Sequence, residues 1–249
     1  YLQGQAAVEH AREMIAQGAD VIDIGAESTR PGSQRVPAAE QIERLRSVIG
    51  PVAALGCPVS VDTTRAAVAE FALDAGASIV NDVSAGRDDP ELLELVADRA
   101  APLILMHMLG QPATMQADPQ YEDVVQEVRA FLEGRLEVAA AAGISRERCI
   151  LDPGIGFGKR LEHNLALLNG VEELLGLGCA VMVGPSRKRF IGELSGAEDP
   201  RGRLGGTLAA CLAAHRHGAT IFRVHDVKPL VSAMAVERGL AAAATGTRR

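Results

Sequence analysis

Asp152-Pro153-Gly154-Ile155-Gly156-Phe157-Gly158-Lys159 follows the apolar run Cys149 to Leu151 and precedes a helical pattern. Charged groups placed where a short buried strand opens into a loop mark the active-site face of a (β/α)8 barrel. Two junctions downstream have the same form. Ala180 to Val183 opens into Gly184-Pro185-Ser186-Arg187-Lys188, and Thr220 to Phe222 into Arg223-Val224-His225-Asp226. Upstream, Val21-Ile22-Asp23-Ile24-Gly25 leads into Glu27-Ser28-Thr29-Arg30-Pro31-Gly32, and Val59-Ser60-Val61 ends in Asp62-Thr63-Thr64-Arg65. Ile79-Val80 ends in Asn81-Asp82, and Leu103 to Met106 in His107. The intervals leave room for one crossover helix each. The near-continuous apolar runs predict parallel strands buried on both faces.

The fold class is therefore α/β, and a (β/α)8 TIM barrel is the economical reading. The 249 residues form one domain of the size such a barrel takes, without a linker, charge block or repeat that would divide them. About seven strands are legible where a closed barrel needs eight. The first strand is expected upstream of Tyr1, so residues 1–249 read as an N-terminally truncated barrel. Val124, Val128, Phe131, Leu132 and Leu136 predict a helix between Tyr121 and Ala142 that Gly143 ends. Pro37 and the pair Asp89-Pro90 are expected to open two others, with Asp89 as a cap.

A net charge of -7 argues against a nucleic-acid footprint and favours small metabolites as partners. Cys57, Cys149, Cys179 and Cys211 have no C-x-x-C spacing, which predicts reduced buried thiols rather than a zinc site or disulfides. No segment has the ~20 apolar residues of a membrane span, and the chain opens without a signal-like stretch. A cytoplasmic enzyme is expected.

Asp62, Asn81, Asp152 and Lys188 form a polar set at four strand ends. Buried carboxylates are costly unless matched by donors, and a flat heterocycle with amidine-like N-H groups would match them. For any one of these residues, capping the next helix is the competing role, most seriously for Asp62. Arg223 and His225 alternate with Val224, which on an extended strand places both on one side. Together with Ser186-Arg187-Lys188 they suit a phosphorylated leaving group, with Arg223 also able to stack on a ring. The competing role is a surface basic cluster paired with acids such as Glu193. Gly154-Ile155-Gly156-Phe157-Gly158 departs from the dinucleotide fingerprint, because its third glycine comes too early. It reads instead as a loop that places Phe157 and Lys159 over the site, with ordinary packing as the alternative for Phe157.

In combination, Asp23-Ile24-Gly25 with Glu27-Ser28-Thr29-Arg30-Pro31-Gly32, Val61-Asp62-Thr63, Asn81-Asp82-Val83, Asp152 to Phe157, Ser186-Arg187-Lys188 and Arg223-Val224-His225-Asp226 resemble the dihydropteroate synthase family. The resemblance runs from Tyr1 to about Leu240 with the motifs in family order. It implies condensation of (7,8-dihydropterin-6-yl)methyl diphosphate with 4-aminobenzoate, giving dihydropteroate and diphosphate. It also implies that Asp62, Asn81, Asp152 and Lys188 hold the pterin, that Arg223 stacks on it, and that Arg223, His225 and Thr29 meet the pterin diphosphate. Thr29, Arg30, Pro31, Phe157 and Ser186 would bind 4-aminobenzoate. Asp62, Asp152, Lys188, Arg223 and His225 would be catalytic through charge stabilisation, without a protein nucleophile. The family uses Mg2+, for which no ligand is assigned because the contact is expected on the strand upstream of Tyr1. A homodimer is also implied. Corrinoid-linked methyltransferases share a pterin-binding barrel and are one alternative; a non-catalytic barrel within a larger folate enzyme is the other.

Overall fold

Burial on both faces leaves a parallel strand no polar side to show, and each of the apolar runs accordingly becomes a strand. The computed structural model describes residues 2–28, 32–110 and 114–244. Its strands are β1 (Ile22–Gly25), β2 (Val59–Asp62), β3 (Ile79–Asp82), β4 (Leu103–Met106), β5 (Cys149–Asp152), β6 (Ala180–Val183) and β7 (Ile221–Phe222). They form one parallel sheet in the order β1-β2-β3-β4-β5-β6-β7, the sequential winding of a barrel. Register runs Gly25↔Asp62, Asp62↔Asn81 and Met106↔Asp152, so the acidic strand ends rise to similar heights at one rim.

Among the described residues β1 pairs only with β2 and β7 only with β6. The sheet is curled but open between its first and last strands, as the count of seven predicts. The last strand is also the weakest held. It has two residues, paired with Met182 and Val183 of β6.

The helices are α1 (Leu2–Ala16), α2 (Ala38–Leu45), α3 (Ile49–Ala53), α4 (Ala66–Asp74), α5 (Glu91–Asp98), α6 (Val124–Ala141), α7 (Leu161–Asn169), α8 (Val171–Leu175), α9 (Arg189–Ser195), α10 (Leu204–Arg216) and α11 (Val227–Ala244). One hydrophobic cluster runs from Ala11 to Ala219 and joins residues of six strands, among them Val61, Val80, Leu105, Leu151 and Val181, to helix residues such as Val68, Leu92, Leu132 and Leu167. Burial of each large aliphatic side chain in it is worth about 1.5–3 kcal/mol.

One helix start agrees with expectation and one cap differs. α6 begins at Val124, the first residue of its apolar pattern, where the Asp123 side chain accepts from Val125 N and Gln126 N at 3.0 and 3.1 Å and fixes the start. Tyr121 is left outside the helix and donates its hydroxyl to Gly158 O at 2.9 Å, bracing the glycine loop. Asp89 does not cap the helix that follows it. Its carboxylate accepts from Ala66 N at 2.8 Å and so caps α4, the neighbouring helix. Sequence proximity suggested the wrong partner because the loop after β3 folds back over the start of α4.

Candidate active site

Asp62 and Asp152 end β2 and β5 and Asn81 is the last residue but one of β3, all three with side chains buried at the rim of the sheet, and Lys188 enters from the loop after β6. The polar set predicted from sequence is therefore assembled in one mouth. Asp62 does not cap the next helix. Its carboxylate instead accepts from Arg223 Nη2 at 3.1 Å, while Arg223 Nε donates to Asp23 at 2.6 Å. Asn81 Nδ2 lies 3.3 and 3.4 Å from the two oxygens of Asp23. Asp23 is thus the hub of the first half of the mouth, although sequence reasoning quoted it only as part of a motif. The available signal was a lone charge in the apolar run Val21 to Gly25.

Burial raises Asp62 to about 7, and the nearby Asp23 carboxylate adds to the rise while Arg223 opposes it. Asp152 is likewise raised by burial and held back chiefly by Lys188. Lys188 in turn is lowered to about 8 by burial, against the pull of Asp152. Two acids and a base with values displaced toward neutrality in one cleft are a functional signature.

The loop after β5 is built by glycine. At Gly154, with φ +68, a Cβ would stand 1.9 Å from the His107 carbonyl oxygen, so only glycine allows the two loops to touch. Gly154 N donates to Asp152 at 2.7 Å, and Lys188 Nζ donates to Ile155 O. The Lys188 ammonium also sits 4.3 Å from the centroid of the Phe157 ring, a cation–π distance. Phe157 therefore faces the site, and its other contacts are with the satellite cluster of Val83, Met106, Met108 and Met115. It both packs and covers.

Lys159 corrects the sequence reading. It does not lie over the site but is buried, with Nζ 2.9 Å from His107 Nδ1 and donating to Phe157 O at 3.0 Å. The left-handed turns at Gly156 and Gly158 reverse the loop and send this side chain beneath it. Burial, Lys159 and Arg87 together push His107 down to about 2, so its imidazole is neutral. His107 was visible in sequence only as a strand end.

Arg223 and His225 reach in different directions. β7 ends at Phe222, so strand alternation no longer governs them. Arg223 turns toward β1 and β2, whereas His225 Nδ1 lies 2.9 Å from Ser186 Oγ, which also accepts from His225 N at 3.2 Å. Arg187 is not a free cation at the mouth, since its guanidinium is forked on Asp226. Arg189 is the residue that pairs with Glu193, at 2.7 Å.

Thr29, Arg30 and Pro31 lie outside the described residues. The flanks of their loop are braced: Glu27 accepts from Val36 N at 2.8 Å, and Arg35 Nη1 donates to Thr64 Oγ1 at 3.1 Å. Among the described residues no cluster of three or more His, Cys, Asp or Glu side chains could hold a metal ion.

Comparison with known proteins decides what this mouth belongs to. Residues 1–225 match the family described as pterin binding enzyme. The chain belongs to that family. Within it, the chain is 46% identical over 225 residues to the dihydropteroate synthase of a Synechocystis species, covering 90% of this chain and 78% of the relative. The dihydropteroate synthase of Thermus thermophilus, solved in complex with 4-aminobenzoate, is 50% identical and superposes with a TM-score of 0.87 over 94% of this chain and 89% of that one. The Xanthomonas albilineans enzyme, solved in complex with 7,8-dihydropteroate, is 42% identical with a TM-score of 0.89 over 97% and 89%. Likeness of this extent places the seven-strand sheet in the same barrel as those enzymes.

Carboxyl-detected NMR of the pterin-family mouth should show Asp62 titrating near pH 7. Asp23→Asn lowers that midpoint by removing a like charge, and Arg223→Gln raises it by removing the counter-charge. A midpoint near the ordinary ~4 of an exposed aspartate overturns burial as the cause.

Proposed function

We propose that the chain is a dihydropteroate synthase, joining pterin diphosphate and 4-aminobenzoate with loss of diphosphate. The observation that carries this reading is the convergence of Asp62, Asn81, Asp152 and Lys188 from four strand ends on one mouth, in a chain whose relatives are synthases. A ring rich in N-H donors satisfies the buried carboxylates, and Lys188 supplies the complementary donor. When the ring enters, its N-H groups take over Asp62, and Arg223 keeps its bond to Asp23 while its guanidinium plane covers the ring. Thr29, Arg30 and Pro31 bind 4-aminobenzoate together with Phe157 and Ser186.

In the reaction the pterin methylene carbon loses its bond to the diphosphate oxygen and gains one to the amine nitrogen, which sheds a proton to solvent. Positive charge that develops on the ring is stabilised by Asp62 and Asp152, and negative charge on the departing diphosphate by Arg223 and His225. Mg2+ belongs to the proposal as a companion of the diphosphate. Asp23 and Asp62 are engaged by Arg223, so the ion would be carried chiefly by phosphate oxygens and water, its usual mode in phosphate sites. Its contribution would be to neutralise the leaving group.

A corrinoid-linked methyltransferase is the alternative within the family. It has no use for the leaving-group donors Arg223 and His225, and the relatives compared are synthases. A cytoplasmic location is proposed on the four free cysteines; no helix among the described residues is long and apolar enough to cross a membrane. A homodimer is proposed on an apolar groove of about 270 Å³ between α7, α9 and α10, beside which Leu194 is 59% exposed. Sedimentation of the wild-type chain and of Leu194→Glu tests it, with a dimer expected for the first and a monomer for the second.

The activity is tested by diphosphate release with and without 4-aminobenzoate. Release that depends on the amine is expected, and its absence overturns the proposal. Lys188→Ala should lower pterin diphosphate affinity and turnover together, each by about tenfold or more, since a charged hydrogen bond is worth roughly 1.5–3 kcal/mol. Thr29→Ala and Arg30→Ala should raise KM for 4-aminobenzoate and leave pterin diphosphate binding nearly unchanged. Equal loss for both substrates would reject that division of labour.

A further inference from the structure

Arg187 is the cation of the Ser186-Arg187-Lys188 stretch that meets neither a ring nor an anion site. Its Nε donates to Asp226 Oδ2 at 3.0 Å and its Nη2 to Asp226 Oδ1 at 2.6 Å, a two-point fork of fixed geometry. Both side chains are largely withdrawn from solvent, 30% and 25% exposed. The backbone of the same residue is equally engaged. Arg187 N donates to the buried Thr207 hydroxyl at 3.1 Å, and Arg187 O accepts from Arg203 Nη1 at 3.0 Å. Side chain and backbone of residue 187 are thus both anchored.

Its φ is +58, one of three positive values among the described non-glycine residues. Such a conformation in a residue with a side chain persists only where surrounding contacts enforce it. The consequence here is directional. Residues 186 and 188 turn into the mouth, Ser186 to His225 and Lys188 to Ile155 O and Phe157, while the side chain between them turns to Asp226.

The other end of the pair explains why an anchor is needed. β7 has only two residues, and its ladder to β6 finishes with Arg223 N donating to Val183 O at 3.0 Å. From there to the start of α11 at Val227 no strand pairing among the described residues fixes the chain, yet His225 lies in this stretch. The two loops are joined there by adjacent links, Ser186 with His225 and Arg187 with Asp226.

We propose that the Arg187–Asp226 ion pair is a positioning clamp that sets His225, the leaving-group side of the site, in register with Ser186 and Lys188. The inference rests on the synthase reading above. It assigns Arg187 no contact with substrate. Its effect falls on the diphosphate end, because the ring-binding groups Asp62, Asn81 and Asp152 sit on strands with a neighbour on both sides, and the fourth, Lys188, has its own hold on Ile155 O and the Phe157 ring.

The test uses the whole chain with Arg187→Lys, Arg187→Ala, Asp226→Asn and the Arg187→Ala/Asp226→Asn double variant. Three quantities are measured: kcat/KM for pterin diphosphate, the Kd of 6-hydroxymethylpterin, which lacks the diphosphate, and Tm. Each single variant is expected to lose about tenfold or more in kcat/KM, with lysine failing as well because an ammonium cannot form the fork. Ring affinity is expected to stay within about twofold, and the double variant to be no worse than the poorer single one, the non-additivity of groups that act as one unit. Arg187→Lys and Asp226→Asn preserve size and charge or shape, so they carry the test if the alanine variants do not fold. Wild-type kcat/KM in the variants, a lower Tm with unchanged kcat/KM, additive losses, or equal loss of ring affinity each overturn the clamp. A wild-type chain that releases no diphosphate overturns the synthase reading and the clamp with it; an active wild type beside fully active variants overturns the clamp alone.

Discussion

Arg223 donates at once to Asp23 and to Asp62, and the rest of the mouth depends on that double contact. A carboxylate at the end of a strand buried on both faces is unfavourable by itself, since burial takes away its water and nothing apolar replaces it. Arg223 compensates two of them with a single planar group. The same contact spans the open side of the sheet: Asp23 belongs to the first strand and Arg223 follows the last, 200 residues away, where no described backbone pairing exists. Asn81 adds a third link through Asp23. Compensation remains incomplete, because Asp62 stays raised to about 7. That residual unfavourable charge is what a ligand rich in N-H donors would relieve.

The opposite half of the mouth is organised from below. His107 and Lys159 are buried under the glycine loop, and the contact of Gly154 with the His107 carbonyl sets how closely that loop approaches β4. The loop in turn presents Ile155 O and the Phe157 ring to Lys188. Displacing His107 would therefore move Lys188 without touching it. The loop after β1 follows a different rule, being braced at its flanks by Glu27 and Arg35 rather than supported from beneath. On the proposed reading, the half of the mouth supported from beneath is the half that would hold the buried ring.

The barrel was legible because a strand buried on both faces writes itself as a mostly apolar run, and seven short runs of that kind, from Ile22 to Phe222, are the seven strands, of which the two at the edges, β1 and β7, are only partly buried. The strand-end polar set was legible for the same reason: Asp62, Asn81 and Asp152 interrupt those runs at the point where the chain leaves the core. Pairing was not. Sequence shows that Arg187 is basic and Asp89 acidic, but their partners, Asp226 and Ala66 N, are brought near by loops whose course no periodicity encodes. Lys159 was misplaced because three closely spaced glycines permit a reversal that their spacing does not specify. Asp23 was passed over because its partners lie 58 and 200 residues away.

The charges divide by position around the rim. Carboxylates stand on β1, β2 and β5, while the cations Lys188 and Arg223 and the imidazole of His225 come from the loops after β6 and β7. A displacement in which the ring gains positive charge as the leaving group gains negative charge runs along this gradient. On the proposed reading both poles would be set before the substrates arrive, by Asp23 on one side and by Asp226 through Arg187 on the other, and little reorganisation would be required as the carbon–oxygen bond lengthens. Arg223 lies at the boundary between the poles, bonded to the acids yet close to the leaving-group side. Lysine at this position would keep the charge but could not span Asp23 and Asp62 together with a planar fork. The requirement for arginine there thus follows from the same double contact that offsets the buried acids.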